Sequence, residues 1–545
     1  MLIPYSLPDE AVSSLGRDYM HSRQAVMQFY RRHYSDNQVF STTADEVTLS
    51  YRGDRALLVQ TLLEYNRKLG CSAATVEQIN RLADPGALAV LVGQQAGLCG
   101  GPLYTVYKAI AAVKLARRLE RELSRPVVPV FWVASEDHDF QEVNHMWVLD
   151  RANQLQRIEL ELEHRGEPLG MLPLTDAGPA AVIDRFASLN PESEFSGDIL
   201  GLLNQTRLLS ATPAEWFARI FTTLFADEGL ALFDPLLPSI RQMLVPFFRE
   251  AISRREECRV VLRKRDDALR KAGYPLQVTR EPEASLLMLN DGTRRALQWQ
   301  GDRFATRDGL QSYSADELSE LADRSPLLLS PNVLLRPLMQ DRLFPTLAFI
   351  AGPGELAYFA QLLPLYTVFG MEPPVLVPRP GLTVVEPRFA GYIQRYEIPE
   401  EGLLFDLDRN LERVIRQRTG VDMEEVFGRL CRQVRDEYAC VKQELSRISH
   451  PLGELCEKNL ARVCNEITYL RDKAELEARE KNEIVARHFK NMELSFRPLG
   501  KLQERVLTYF PFEIKYGPHF WWSLLAEFPD SPGHYLFFYQ PGKEN

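Results

Sequence analysis

The apolar positions of the chain fall into three successive regimes. Residues 1–85 mix apolar residues at helical spacing with polar ones, broken at Gly53 and Gly70, and predict a mostly helical segment. From 86 to 400, short β-branched runs alternate with amphipathic ones. The runs at 88–92, 126–134, 230–233, 346–350 and 375–377 predict buried strands, and helical segments lie between several of them. Strands alternating with helices predict an α/β fold, a parallel sheet with helices on both faces. Two stretches interrupt that rhythm, at about 145–210 and 280–325, and are expected to be insertions. The second carries the hairpin signal Asn290-Asp291-Gly292.

From 401 to 495 the period changes. Phe427, Val434, Val441 and Ile448 recur every seven residues, and Leu460, Val463, Ile467, Leu470 and Ala474 step by three and four after Pro451. This predicts an antiparallel coiled-coil hairpin whose second arm, some 40 residues, would run ~60 Å. Such an arm serves either its own body or a second copy, and a homodimer is expected because a lone hairpin buries only one seam. Residues 496–545 end in an aromatic tail (Tyr509, Phe510, Phe512, Phe520, Trp521, Trp522) that is expected to pack back on the core.

Composition narrows the class. The 545 residues are 45% hydrophobic and 25% charged, which excludes a disordered or fibrous chain. No apolar run is long enough for a membrane helix, and the first 25 residues lack the apolar stretch of a signal peptide. A net charge of −10 argues against nucleic acid as a partner. Seven cysteines without a CxxC pair argue for a reducing, cytoplasmic setting and against a zinc site.

Four loops could carry chemistry. In the first, Gly93, Gln94, Gln95, Gly97 and Gly101 follow a strand and precede a helix that begins near Pro102 and carries Thr105 and Lys108. Glycines permit close backbone approach and a helix start favours anions, although the spacing is neither a P-loop nor GxGxxG. A tight turn without a ligand is the competing reading. The second loop, 135–145, holds Glu136, Asp137, His138, Asp139 and His145. It is open to three readings: a divalent-metal site, a grip on an amine or ribose with a general base, or an acid-rich helix start. The third, 330–341, places Arg336, Gln340 and Asp341 near one helical face. The fourth, Gly352-Pro353-Gly354-Glu355, repeats the strand–glycine–helix arrangement, and Arg379 follows the last strand. Cys99 sits in the glycine loop, but nothing nearby in the sequence supplies the histidine a nucleophile needs.

Five segments stand in fixed order: LVGQQAGLCGGPLYTVYKAIAAVKLA, PVVPVFWVASEDHDFQEVNH, SPNVLLRPLMQD, LFPTLAFIAGPGELAYFAQL and PVLVPRP. Together with the hairpin and a QERV segment near the end, they resemble the cysteine ligase family of bacillithiol biosynthesis over essentially the whole chain. The resemblance implies a Rossmann-type core related to class I nucleotidyltransferases, with two connecting insertions and a dimer-supporting coiled coil. It implies that L-cysteine is joined through its carboxyl group to the amino group of glucosaminyl malate, with ATP (and Mg) as the activating partner and no redox cofactor or resident metal. Under it, Gly93, Gln94, Gln95, Gly97, Gly101 and Thr105 line the pocket, with Gly352, Gly354 and Glu355, and Lys108 contacts phosphate. Asp137, His138 and Asp139 hold the cysteine ammonium or deprotonate the attacking amine. Arg336 and Arg379 take the malate carboxylates. The chain departs from cysteine-activating class I synthetases in having neither HxGH nor a KMSKS-like loop. A non-catalytic nucleotide-binding assembly protein of the same pathway is the alternative expectation, and a metal-dependent hydrolase a third.

Overall fold

A computed structural model describes residues 1–9, 13–175 and 177–542. The chain divides into two compact units, Met1–Val384 together with Gln503–Asn545, and Val385–Leu502.

The first unit is built on five parallel strands, β1 (Leu88–Gln94), β2 (Val127–Val133), β3 (Ala231–Phe233), β4 (Thr346–Ala351) and β5 (Val375–Pro378), in the order β5-β4-β1-β2-β3. Their side chains are buried on both faces, which is why the strands read as continuous apolar runs and not as alternation. The register sets Leu91 against Val130 and Gly93 against Trp132. Helix α1 (Leu103–Leu123) returns from β1 to β2 and packs on both strands, with Pro102 at its cap position. Helix α2 (Arg336–Leu343) precedes β4, and α3 (Pro353–Val368) joins β4 to β5.

Two antiparallel pieces interrupt the parallel rhythm. His145–Leu149 pairs with Leu155–Glu159, and the strands Ala284–Asn290, Arg294–Gln300, Arg303–Thr306 and Ser312–Tyr313 form a meander flanked by Leu329–Pro331. The meander turns at Asp291-Gly292, where Asn290 opposes Arg294. The N-terminal segment is not helical throughout: Leu2–Tyr5 is a strand, because it pairs antiparallel with His534–Phe538 at the far end of the chain. That strand lies between Leu2–Tyr5 and Gly381–Val385. In the aromatic tail, Tyr509, Phe510, Phe512, Phe520 and Trp521 are buried, whereas Trp522 is exposed.

The second unit is helical. It begins ahead of the expected residue 401, because Pro387–Arg395 packs on the closing helix Glu483–Phe496. Phe389 and Phe496 meet at 5.3 Å between ring centroids, and Tyr392 stacks on His488 at 3.9 Å. Its long hairpin consists of α4 (Met423–Ile448) and α5 (His450–Lys481). The arms run antiparallel, with Tyr438 donating to Asn459 at 2.6 Å and Lys442 paired with Glu457. The second arm is shorter than expected, because the helix breaks at Asn482. The seam also differs. Phe427 and Val434 face inward with Cys431, Tyr438 and Leu445, whereas Val441 and Ile448 are exposed. Heptad counting joined two apolar stripes into one. On α5, Leu460, Val463, Ile467 and Ala474 follow the inward stripe, and Leu470 leaves it. No helix among the described residues is long and apolar enough to cross a membrane.

Candidate functional site

The strand order places β1 at the centre, with β2 and β3 to one side and β4 and β5 to the other. The connections therefore diverge between β1 and β4, and ligands of open parallel sheets bind beyond the carboxyl ends of strands at such a point. A cleft of about 480 Å³ opens there. Its walls include Gly93, Gln94, Gln95, Lys108, Asp137, Arg336, Gly352, Gly354, Glu355 and Arg379, all expected from the sequence.

The loop after β1 is held by α1. Lys108, in the second turn, is buried and donates to the Gly93 carbonyl and to Gln94 Oε1, both at 3.0 Å. Its Nζ also lies 2.6 Å from Glu355 Oε2. Burial pushes the Lys108 ammonium pKa down, and the Glu355 carboxylate opposes that shift. Gln94 Nε2 donates to the Tyr104 hydroxyl at 3.0 Å, and Gln95 Nε2 to Asp137 and Glu142 at 2.8 and 2.7 Å. Gly97, Gly101 and Thr105 do not line the cleft. A Cβ on Gly97 would stand 2.6 Å from the Gly101 Cα, so these glycines let the loop fold on itself, and Thr105 is buried beside them. Cys99 is buried, and burial pushes its thiol up to about 12, which removes it as a nucleophile.

The loop after β2 separates its acids. Glu136 forms a buried ion pair with Arg241. Asp137 Oδ1 accepts from the backbone N–H groups of His138 and Asp139 at 2.8 and 3.3 Å, and Arg294 Nη1 lies 3.9 Å away. His138 and Asp139 are not among the residues that line the cleft. Asp139 caps the short helix Phe140–Val143, accepting from Glu142 N at 3.2 Å, so for this residue the helix-start reading holds. His138 is half-buried, and its pKa is lowered first by desolvation and then by Arg294.

On the β4 side, Arg336 donates to Gln340 Oε1 at 3.1 Å and to the Tyr358 hydroxyl at 3.2 Å, with the Trp132 and Phe349 rings each 5.8 Å away. Gln340 passes the contact to buried Asp341 at 3.0 Å, whose pKa is pushed up to about 6, chiefly by burial. Asp341 itself lies off the cleft. Glu355 accepts from Gly352 N at 2.6 Å and supplies the carboxylate half of a capping box at the N-terminus of α3. Arg379 carries an ion pair within the protein. Its fork is taken bidentately by Glu504, at 2.8 and 2.5 Å, above the Tyr104 ring. The pair takes the outer edge of the guanidinium and the Pro380 carbonyl takes a further Nη1 N–H, so only the Nε side is left for a substrate carboxylate.

The sequence did not point to Tyr104, Trp132, Gln277, Arg294, Tyr358 or Arg505 as cleft residues. Arg294 comes from the antiparallel meander, and no local pattern joins it to the sheet. Arg505 had a visible signal in Gln503-Glu504-Arg505, but nothing in the pattern showed where that segment returns.

Comparison with known proteins agrees along the chain. The N-terminal Rossmann-like domain of bacillithiol biosynthesis BshC matches residues 3–380, and the BshC C-terminal coiled-coil domain matches 382–539. A relative from Heliobacterium modesticaldum is 34% identical over 96% of this chain and 97% of its own. One from Desulforamulus reducens is 31% identical over 92% and 93%, and one from Bacillus cereus 34% over 82% and 84%. Each bears the name "Putative cysteine ligase BshC".

Proposed function

The chain belongs to the bacillithiol biosynthesis BshC family, and from that premise we propose that it joins the carboxyl group of L-cysteine to the amino group of glucosaminyl malate, with ATP activating the carboxylate. One observation carries the reading. Among the described residues, five cations (Lys108, Arg294, Arg336, Arg379, Arg505) and three carboxylates (Glu136, Asp137, Glu355) converge on one cleft at the switch point of the sheet. Such a site suits two anionic substrates and one ammonium group.

ATP would supply a leaving group on the cysteine carbonyl carbon, and Mg would arrive with its phosphates. The protein supplies binding and proton handling. The glycine-flanked ends of β1 and β4 allow a close approach to the backbone at Gly93 and Gly352. Arg336 spends two N–H groups on Gln340 and Tyr358 and keeps others for an oxyanion. Lys108 has all three donors engaged, so it holds Gln94 and Glu355 in place and contributes field, a narrower part than phosphate contact. Asp137 is the cleft carboxylate whose cationic neighbours, His138 Nδ1 at 3.7 Å and Arg294 Nη1 at 3.9 Å, stand beyond hydrogen-bond distance. It would grip the cysteine ammonium or take the proton that the attacking amine loses as the new C–N bond forms. The exposed apolar residues of the hairpin, Val441, Ile448, Leu455 and Leu470, support a homodimer through that arm.

The test is a reaction of the purified protein with cysteine, glucosaminyl malate and ATP, followed by mass spectrometry. The expected result is the condensed thiol together with ADP or AMP, and no product without ATP. No product, together with an unchanged thiol profile in a deletion strain, would overturn the reading. A protein that binds nucleotide but condenses nothing would point to the assembly role.

A further inference from the structure

Arg505 stands apart from the other cleft cations. Lys108 has all its donors on Gly93, Gln94 and Glu355, whereas Arg294 gives part of its donors to Ser330 and Pro331, Arg336 to Gln340 and Tyr358, and Arg379 to Glu504. Arg505 is exposed, lines the cleft, and among the described residues has no hydrogen bond or ion pair.

The peptide that carries it is fixed on both sides. Gln503 Oε1 accepts from Val384 N at 2.7 Å, and its Nε2 donates to Val384 O at 3.1 Å. Glu504 holds Arg379 and accepts from Leu382 N at 3.0 Å. Just beyond, Leu507 O accepts from Leu103 N at 2.8 Å, and the Thr508 hydroxyl donates to Gly101 O at 3.0 Å. The segment thus ties the strand after β5 to the start of α1, and Arg505 projects from a backbone with little freedom left to lose. A free guanidinium fork on a fixed backbone, beside cations whose donors are already partly engaged within the protein, is suited to capture an incoming oxyanion.

We infer that Arg505 is a specificity-determining residue of the cleft and takes a carboxylate or phosphate oxyanion of a substrate. The inference rests on the ligase reading and deepens it. A dicarboxylate and a polyphosphate offer the same chemistry, and the experiment separates them.

The full-length protein is titrated calorimetrically with glucosaminyl malate and, separately, with a non-hydrolysable ATP analogue, as wild type, Arg505→Ala and Arg505→Lys. Arg505→Ala is expected to weaken one ligand by about ten- to a hundredfold, the range for hydrogen bonds to a charged group. The other ligand and the melting temperature stay unchanged. Arg505→Lys restores binding only in part, because an ammonium cannot reproduce the fork. Loss confined to glucosaminyl malate assigns the carboxylates, and loss confined to the ATP analogue assigns the phosphates. Unchanged affinity for both overturns the inference while leaving the ligase reading standing. So does a joint loss accompanied by a lower melting temperature, which would mark a structural role. A wild type that binds neither compound overturns the ligase reading, and this inference with it.

Discussion

Lys108 and Glu355 meet across the switch point, 2.6 Å apart, one from the helix after β1 and the other from the helix after β4. The contact ties the two diverging halves of the sheet at the edge of the cleft. Both side chains are largely withdrawn from water, so removing either leaves a charge without compensation. Lys108→Met is expected to lower stability by about 3 kcal/mol and to abolish substrate binding in the cleft. Adding Glu355→Gln to that variant should raise the melting temperature again. The amide still caps Gly352 N, and no buried charge remains. Binding should stay lost in the double variant. Chemical denaturation and calorimetric titration of the two variants check both statements.

His534 provides a pH dependence with a defined sign. It is buried beside Thr383 and Glu504, and desolvation lowers its pKa from 6.5 to about 4. Above pH 6.5 neither the folded nor the unfolded chain holds the proton. Between 6.5 and 4 only the unfolded chain takes it up, so stability falls on acidification through that window, by about 3 kcal/mol in total. Glu504 has its pKa lowered in the fold, so its own loss of stability begins only below 4.5. Asp341 and Glu513, pushed up to about 6 and about 7, and other histidines also titrate between 6.5 and 4.5, so the share of His534 is read as the difference between wild type and variant. Urea denaturation at stepped pH should show a smaller slope across 6.5 to 4.5 for His534→Gln than for wild type. Equal slopes would remove His534 as the cause.

Much of this site was legible because it is local. A buried apolar run, a glycine loop and a helix start lie within a few residues at 88–108 and again at 346–355, and each has a period or a cap that can be read directly. Position placed Glu355 at a helix start as a pocket residue, and its capping of Gly352 N came from the structure. What was not legible depends on return of the chain. The partner of Arg379 could not be named because Glu504 is 125 residues away. Asp139 was grouped with Asp137 by adjacency, yet loop dihedrals send one to a helix cap and leave the other at the cleft. In the hairpin, a strict seven-residue count could not separate the inward stripe through Tyr438 and Leu445 from the outward one through Val441 and Ile448.

The glycine loop gives a prediction that separates folding from chemistry. A Cβ at position 97 would press on the Gly101 Cα, a backbone atom that cannot swing aside as a side-chain end can. Gly97→Ala is therefore expected to displace the loop and cost about 1–3 kcal/mol, typical of overpacking. Because the loop also carries Gln94 and Gln95, ligand affinity in the cleft should fall with it. A variant that melts like wild type and binds substrate equally well would show that the loop has room the structure does not.

The outward stripe of the hairpin makes the last prediction. Val441, Ile448, Leu455 and Leu470 are between 49% and 72% exposed in the single chain, whereas the inward stripe is at least partly covered by its own partner arm. Apolar residues repeated along an exposed arm are a burden in water unless a second surface covers them. Each buried leucine or isoleucine would contribute about 2 kcal/mol, so two of them at one interface shift an association constant by orders of magnitude. Ile448→Glu with Leu455→Glu should therefore convert a dimer into a monomer in light scattering, with helix content by circular dichroism unchanged because neither residue lies on the inward stripe. Retention of the wild-type mass would place any dimer contact elsewhere. A parallel loss of helix would mean that these residues hold the hairpin itself together.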